Sequence, residues 1–193
     1  MLRSRKPNRM KGKDYSEDGC YFVTSNCKDN KHHFGKVVNG EMVLNEFGEI
    51  AKQQILWLEK QYPYLKIHNW VVMPNHVHFL MEIDRGRISA GTARELSVPA
   101  ESPEKSIENF EKNEIQEIKI KSISALLGAF KTTSSKHIHL AGNEDFAWHR
   151  SFHDHIVRNS VAFRNIDEYI TNNPKNWDED KFNGKSKFAK SIV

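Results

Sequence analysis

Leu65 to Val72 and His76 to Ile83 are two runs of β-type residues separated only by Met73-Pro74-Asn75. A connection that short joins antiparallel neighbours, since a parallel pair needs a long crossover. The remaining elements are read around this pair. Tyr21 to Cys27, rich in β-branched and aromatic types, reads as a first strand, and Phe34 to Leu44 as a loop or short hairpin about Asn39-Gly40. Asn45 is placed to cap a helix from Glu46 to about Gln61, where Phe47, Ile50, Ala51, Ile55 and Leu58 share one face and Pro63 ends the run. Lys119 to about His139 reads as a second helix closed by a glycine cap at Gly142, Ala147 to about Phe152 as a fourth strand, and Val161 to Asn172 as a last helix stopped by Pro174. The order strand, helix, strand, strand, helix, strand implies an α+β fold. Its core is a ferredoxin-like split βαβ arrangement: a four-stranded antiparallel sheet with helices on one face, plus a C-terminal helix carrying Tyr169.

The chain has 193 residues, enough for one well-buried core, which is assigned to residues 20–177. Residues 1–19 form a basic arm in which Arg3, Arg5, Lys6, Arg9, Lys11 and Lys13 precede the first acidic residue, and residues 178–193 form a polar tail with Phe182 and Phe188 as docking anchors. From Asp84 to about Glu114, Gly, Ser, Pro and Glu dominate, which reads as a loop insertion without stable structure. A net charge of +4, a pI near 9.0 and a mean hydropathy of -0.68 permit a polyanionic partner without requiring one. Arg5, Lys6 and Arg9 are the residues of the arm expected to follow phosphates; a solubilising terminus is the plainer reading of the same charges. No stretch approaches the roughly 20 apolar residues of a membrane span, and no apolar segment of a secretory signal follows the basic start, so a cytoplasmic protein with no membrane partner is expected. Cys20 and Cys27 fit neither a zinc knuckle nor a disulfide framework.

A strand sets residues i and i+2 on one face, so His76 and His78 point together while Val77 points into the core. Two imidazoles on a stiff strand make half of a divalent-metal shell. His-X-His also recurs by chance, so a third ligand from elsewhere is needed. Tyr169 and Asn173 lie four apart near a helix end, one above the other, where a helix packed beside the sheet would deliver both to the histidine strand. Tyr169 is otherwise an ordinary member of the stripe that Ile166 and Ile170 already make.

Four blocks in order carry a family resemblance: Trp70-Val71-Val72-Met73-Pro74-Asn75-His76-Val77-His78-Phe79-Leu80, then Gly128-Ala129-Phe130-Lys131, then Trp148 through Asn159, then Tyr169-Ile170-Thr171-Asn172-Asn173-Pro174. Together they resemble the REP-associated tyrosine transposases, which belong to the single-tyrosine branch of the HUH nucleases. The resemblance implies that His76 and His78 are paired ligands of Mg²⁺ or Mn²⁺, that Asn173 is a third, amide-bearing ligand, and that Tyr169 is the nucleophile. It further implies a single-stranded DNA endonuclease and strand transferase, acting on hairpins through a 5′-phosphotyrosine bond and without a nucleotide cofactor. Two neutral imidazoles and a neutral amide would leave the ion's charge uncompensated. Lys131, Arg150 and Arg158 are the candidate phosphate contacts within the family-like blocks. Trp148 and His149 are placed to stack on unpaired bases or to fill the edge of the core, whereas Trp70, inside a strand, is expected in the core. His153 and His155 read as a turn or a DNA-facing polar patch, a second metal site being less favoured because Asp154 would point away from both. The insertion after the histidine strand is longer than the family's usual connection. A monomer is favoured, with a dimer possible. The alternatives are a catalytically silent hairpin DNA or RNA binder descended from a transposase, and a metal-binding or structural domain of unrelated purpose.

Overall fold

The structure is a computed structural model, and residues 16–88 and 118–183 are described. The basic arm with Arg5, Lys6 and Arg9, most of the insertion and Phe188 lie outside the described residues.

The alternation in the two histidine-flanking runs becomes β4 (Leu65–Val72) and β5 (His76–Ile83). β5 pairs antiparallel with β1 (Gly19–Asn26), and β1 in turn with β6 (His153–Val157). The resulting sheet has the order β4-β5-β1-β6, the ferredoxin-like topology expected from the element order. A small hairpin, β2 (Gly35–Val38) with β3 (Glu41–Leu44), stands apart from it. Its turn is Asn39-Gly40, with φ of 52° and 77°, the left-handed pair that an Asn-Gly dipeptide accepts at little cost.

Two helices cover one face of the sheet: α1 (Glu46–Gln61), whose Asn45 cap accepts from Gly48 N at 3.0 Å, and α2 (Ile123–Leu140), capped by Ser122. Gly142, at φ 96°, closes α2 by donating to His139 O at 2.9 Å. Val77, Phe79, Met81 and Ile83 of β5 are fully buried in one apolar cluster with Ala51, Ile55 and Leu58 of α1 and Leu126, Leu127 and Phe130 of α2. Each of these side chains larger than alanine contributes about 1.5–3 kcal/mol of transfer free energy. The third helix, α3 (Ser160–Asn172), packs on β4 and β5 from the opposite face. His76, His78 and Leu80 are therefore buried as thoroughly as their odd-numbered neighbours, but beneath α3 and the segment that follows it.

The fourth strand lies several residues beyond the expected 147–152. Phe146 and Trp148 instead send their rings inward from an irregular segment, onto Phe34 and, for Trp148, Phe130. The Trp148 indole donates to Ser134 Oγ at 3.0 Å, and its backbone forms only an isolated bridge with Cys27. The aromatic composition that suggested a strand is thus a core plug. His153-Asp154-His155, expected to be a polar region after the strand, lies inside it: β6 is an edge strand and exposes both imidazoles.

Candidate functional site

The register places His78 opposite Thr24 of β1, and alternation turns both toward α3. His78 Nδ1 lies 2.8 Å from Thr24 Oγ1, and His76 Nδ1 lies 2.9 Å from Asn75 Oδ1. The orientation of the Asn75 amide is fixed, because its Nδ2 donates to Asn30 O at 3.0 Å and to Phe182 O at 2.8 Å. Its Oδ1 must accept, so His76 carries its proton on Nδ1 and turns the Nε2 lone pair inward. The Thr24 hydroxyl can accept from Nδ1–H of His78 in the same way, and in that tautomer two Nε2 lone pairs meet at 3.1 Å. That arrangement is repulsive unless a proton or a cation lies between them, and it is how ring orientation is set for metal ligation.

Asn173 is the C-cap of α3. It sits one turn below Tyr169 and is 1% exposed; its Nδ2 donates to Asp180 Oδ2 at 3.3 Å, while its Oδ1 is buried and accepts no hydrogen bond from the described residues. A buried acceptor with no hydrogen bond, beside two imidazole nitrogens, fits a cation. The carboxylate of Asp180 supplies the remaining donor. Ligand atoms of His76, His78 and Asp180 all lie within 4.8 Å of one another, the one such cluster among the described residues. Two imidazoles, a carboxylate and an amide form a nitrogen and oxygen set suited to a divalent cation such as Mn²⁺. Asp180 also alters the expected charge balance: a carboxylate in the set offsets one of the ion's two charges, which the all-neutral set expected from the sequence would not do.

Asp180 was not anticipated from the sequence. It belongs to the stretch after Trp177 read as a polar tail, where Asp178-Glu179-Asp180 was the available signal. In the structure that stretch closes over the histidines. Trp177 is buried with its ring centroid 6.0 Å from that of His76, and Phe182 approaches His76 at 4.7 Å. Asp180 Oδ1 accepts from Phe182 N at 2.7 Å, and Asn183 Nδ2 donates to Trp177 O at 2.8 Å.

Tyr169 is half-buried, with its hydroxyl 3.3 Å from His78 Nε2 and its ring edge-on to Phe22 at 5.9 Å. Burial, and then the Asp180 carboxylate, push its phenol up to about 12, with the Asn173 amide working the other way. His76 is held well below its ordinary value by burial, by His78 and by the Lys181 charge, and His78 is lowered to about 3 by burial and Lys181. Both rings are therefore neutral, as ligation requires.

The other expected residues distribute as follows. Lys131 Nζ donates to His149 O at 2.8 Å and Ser151 O at 3.2 Å, and burial lowers its ammonium to about 8, so it braces the 149–151 loop. Arg150 and Arg158 are exposed, as is His149, whose Nδ1 lies 2.9 Å from Ser151 Oγ. His153 continues the row Val71, His78, Thr24 across the sheet, and His155 lies opposite Phe22. Both thus share the site's face of the sheet without joining its ligand cluster, and Asp154 falls on the other face as expected. Trp70 packs against the core, and Trp148 fills its edge. No helix among the described residues is long and apolar enough to cross a membrane.

No family model matches the chain. A Haemophilus influenzae protein described as uncharacterized is 28% identical over 181 residues, covering 93% of each chain. Among solved structures, a REP-associated tyrosine transposase bound to a REP hairpin superposes with a TM-score of 0.52 at 19% identity, over 92% of this chain and 74% of that one. A crystal structure from Deinococcus radiodurans gives a TM-score of 0.42 at 16% identity, over 85% of this chain and 97% of that one. The likeness to the transposase establishes a shared fold.

Proposed function

We propose that this protein is a metal-dependent single-stranded DNA endonuclease and strand transferase that works at hairpin-flanked sites through a 5′-phosphotyrosine intermediate. The observation that carries the proposal is the convergence of His76, His78 and Asp180 within 4.8 Å, with the Tyr169 hydroxyl 3.3 Å from His78 Nε2.

In this reading His76, His78, Asp180 and Asn173 hold a Mg²⁺ or Mn²⁺ ion. Once bound, that ion supplies positive charge that polarises the non-bridging oxygens of a phosphodiester and makes ionisation of a nearby phenol less costly. Tyr169 attacks phosphorus: its Oη–P bond forms as the P–O3′ bond breaks, the phenol gives up its proton and the departing 3′-oxygen takes one up. The phosphodiester is exchanged and not hydrolysed, so a second 3′-hydroxyl can reverse the step and join a new strand without a nucleotide cofactor. Exposed Arg150 and Arg158 position phosphates, and the edge-strand imidazoles of His153 and His155 extend the polar face beside the site. The structural relative was solved on a REP hairpin, which makes hairpins the substrates to try first.

Labelled single-stranded hairpin oligonucleotides incubated with the protein and Mn²⁺ should be cut and yield a protein-linked strand, with both products lost on chelation and in Tyr169→Phe. Intact substrate across a broad hairpin panel, with folded protein, would sink the proposal. A phenol held near 12 favours one second reading, a silent hairpin binder. It requires hairpin affinity indifferent to chelator and to Tyr169→Phe, with no cleavage under any metal.

A further inference from the structure

One flank of α3 carries Phe163, Asp167 and Thr171, which meet β4, while Tyr169 and Asn173, offset around the helix, face the site. What fixes the rotation and height of this helix therefore fixes where the tyrosine hydroxyl stands. The sheet meets it with an irregularity. β4 and β5 pair in regular register except between Ile67 and Asn69, where one extra residue, His68, is inserted opposite β5. A bulge of this kind re-aims side chains and shifts the alternation by one. Ile67 pairs with Met81, which lies in the α1–α2 core, whereas Asn69 pairs with Leu80 on the α3 side. Two consecutive side chains, His68 and Asn69, are thereby directed at the tyrosine helix.

Each finds partners there. His68 Nε2 lies 2.8 Å from Glu82 Oε2 while its ring packs edge-on against Phe163 at 5.0 Å. Asn69 Nδ2 is within hydrogen-bond distance of three acceptors on α3: Asp167 Oδ1 at 2.6 Å, Thr171 Oγ1 at 3.0 Å and Asp167 O at 3.2 Å. Its own Oδ1 accepts from Trp70 N at 2.8 Å, which settles the orientation of the amide. The three acceptors span one turn of the helix, so this single amide resists both rolling and sliding of α3. Rolling moves Asp167 and Thr171 away together, and sliding along the axis separates the amide from both at once.

We propose that Asn69, presented by the β-bulge at His68, is a positioning residue that sets the reach of Tyr169 to the metal cluster of its own chain. The inference rests on the function proposed above. Asn69 touches neither the ligand set nor the tyrosine, and His76 and His78 keep their places on β5 without it, so its removal acts by displacing α3, which moves the Tyr169 hydroxyl and, at the helix end, Asn173. Misplacement by about an ångström costs on the order of a hundredfold in rate where chemistry depends on near-attack geometry.

The test is single-turnover formation of the DNA adduct with a saturating hairpin oligonucleotide that wild-type protein cuts, alongside Mn²⁺ titration of each protein. Asn69→Asp sets a carboxylate against Asp167; its adduct rate constant at saturating Mn²⁺ and saturating oligonucleotide should fall at least tenfold, by more than any accompanying loss of Mn²⁺ affinity. The exchange Asn69→Asp with Asp167→Asn restores a donor and an acceptor in reversed order and should recover much of the rate. Thr171→Val, which keeps shape and loses one acceptor, should show a smaller drop and serves if Asn69→Asp does not fold. A fall in the adduct endpoint with an unchanged rate constant would signal lost folded protein and overturn the positioning role, as would variants that match wild type. Absence of any adduct with wild-type protein would instead refute the proposed function itself.

Discussion

Two imidazole nitrogens 3.1 Å apart, both turned inward by partners on their far sides, are the residue-scale core of the site. Removing Asp180 as Asp180→Asn keeps its size and removes its charge, so Mn²⁺ affinity should fall at least tenfold by isothermal titration; an unchanged affinity would remove Asp180 from the ligand set. Asn75→Ala frees the His76 ring and should weaken Mn²⁺ by about 10–100-fold, the usual penalty for losing an outer partner of a ligand. The neutral, buried histidines also fix a pH response of the metal-free protein. Unfolded chains take up protons at histidine near 6.5, whereas His78 resists protonation to about 3 and His76 is lowered as well. The unfolded state then binds more protons, so stability falls as pH drops below 6.5, and for His78 the loss continues toward 3. Urea melts at pH 7 and 5 would record it; equal stabilities would contradict it. That His76 and His78 share a face and that Tyr169 and Asn173 lie one turn apart was legible, because each pair sits in a short stretch of regular structure. Asp180 was not, since it reaches the cluster only when a stretch with no periodicity folds back over the sheet.

At the scale of elements, the segments read correctly are those where burial imposes a period. β4 and β5 match the expected limits, and α1 begins at its Asn45 cap. β6 was misplaced because Trp148 and Phe152, within the expected 147–152, pack against the core from an irregular segment, and because an edge strand can expose histidines on one face. The bulge at His68 left no trace in the sequence at all: the insertion of one residue is invisible unless the partner strand is known. Lys131 illustrates the same limit. A lysine in a family-like block reads as a phosphate contact, yet its ammonium is spent on the carbonyls of His149 and Ser151. Lys131→Met should therefore lower stability while leaving the salt dependence of oligonucleotide binding unchanged. Arg150→Gln should reduce that slope by about 0.7, the share of one phosphate on a single strand. The reverse pattern in a salt titration would restore Lys131 as a direct contact.

At the scale of the molecule, one face of the sheet is given to stability and the other to the site. The α1–α2 layer buries the apolar side of every central strand, which leaves α3 and the 177–183 stretch free to bring Tyr169, Asn173 and Asp180 onto the other side. Because the ligands come from β5, the end of α3 and the stretch beyond it, a cation that binds them joins parts distant in sequence and stabilises the whole. At a concentration one hundred times its dissociation constant, Mn²⁺ should add about 2.7 kcal/mol, or roughly 5–10 °C in melting temperature. The shift should vanish in His78→Ala. The most direct test of the metal and tyrosine together is mass spectrometry of protein digested after reaction with a hairpin oligonucleotide and Mn²⁺. The expected result is a nucleotide-bearing peptide with the phosphate on Tyr169, absent after chelation; a linkage at any other residue, or hairpin cleavage without a covalent peptide, would contradict it.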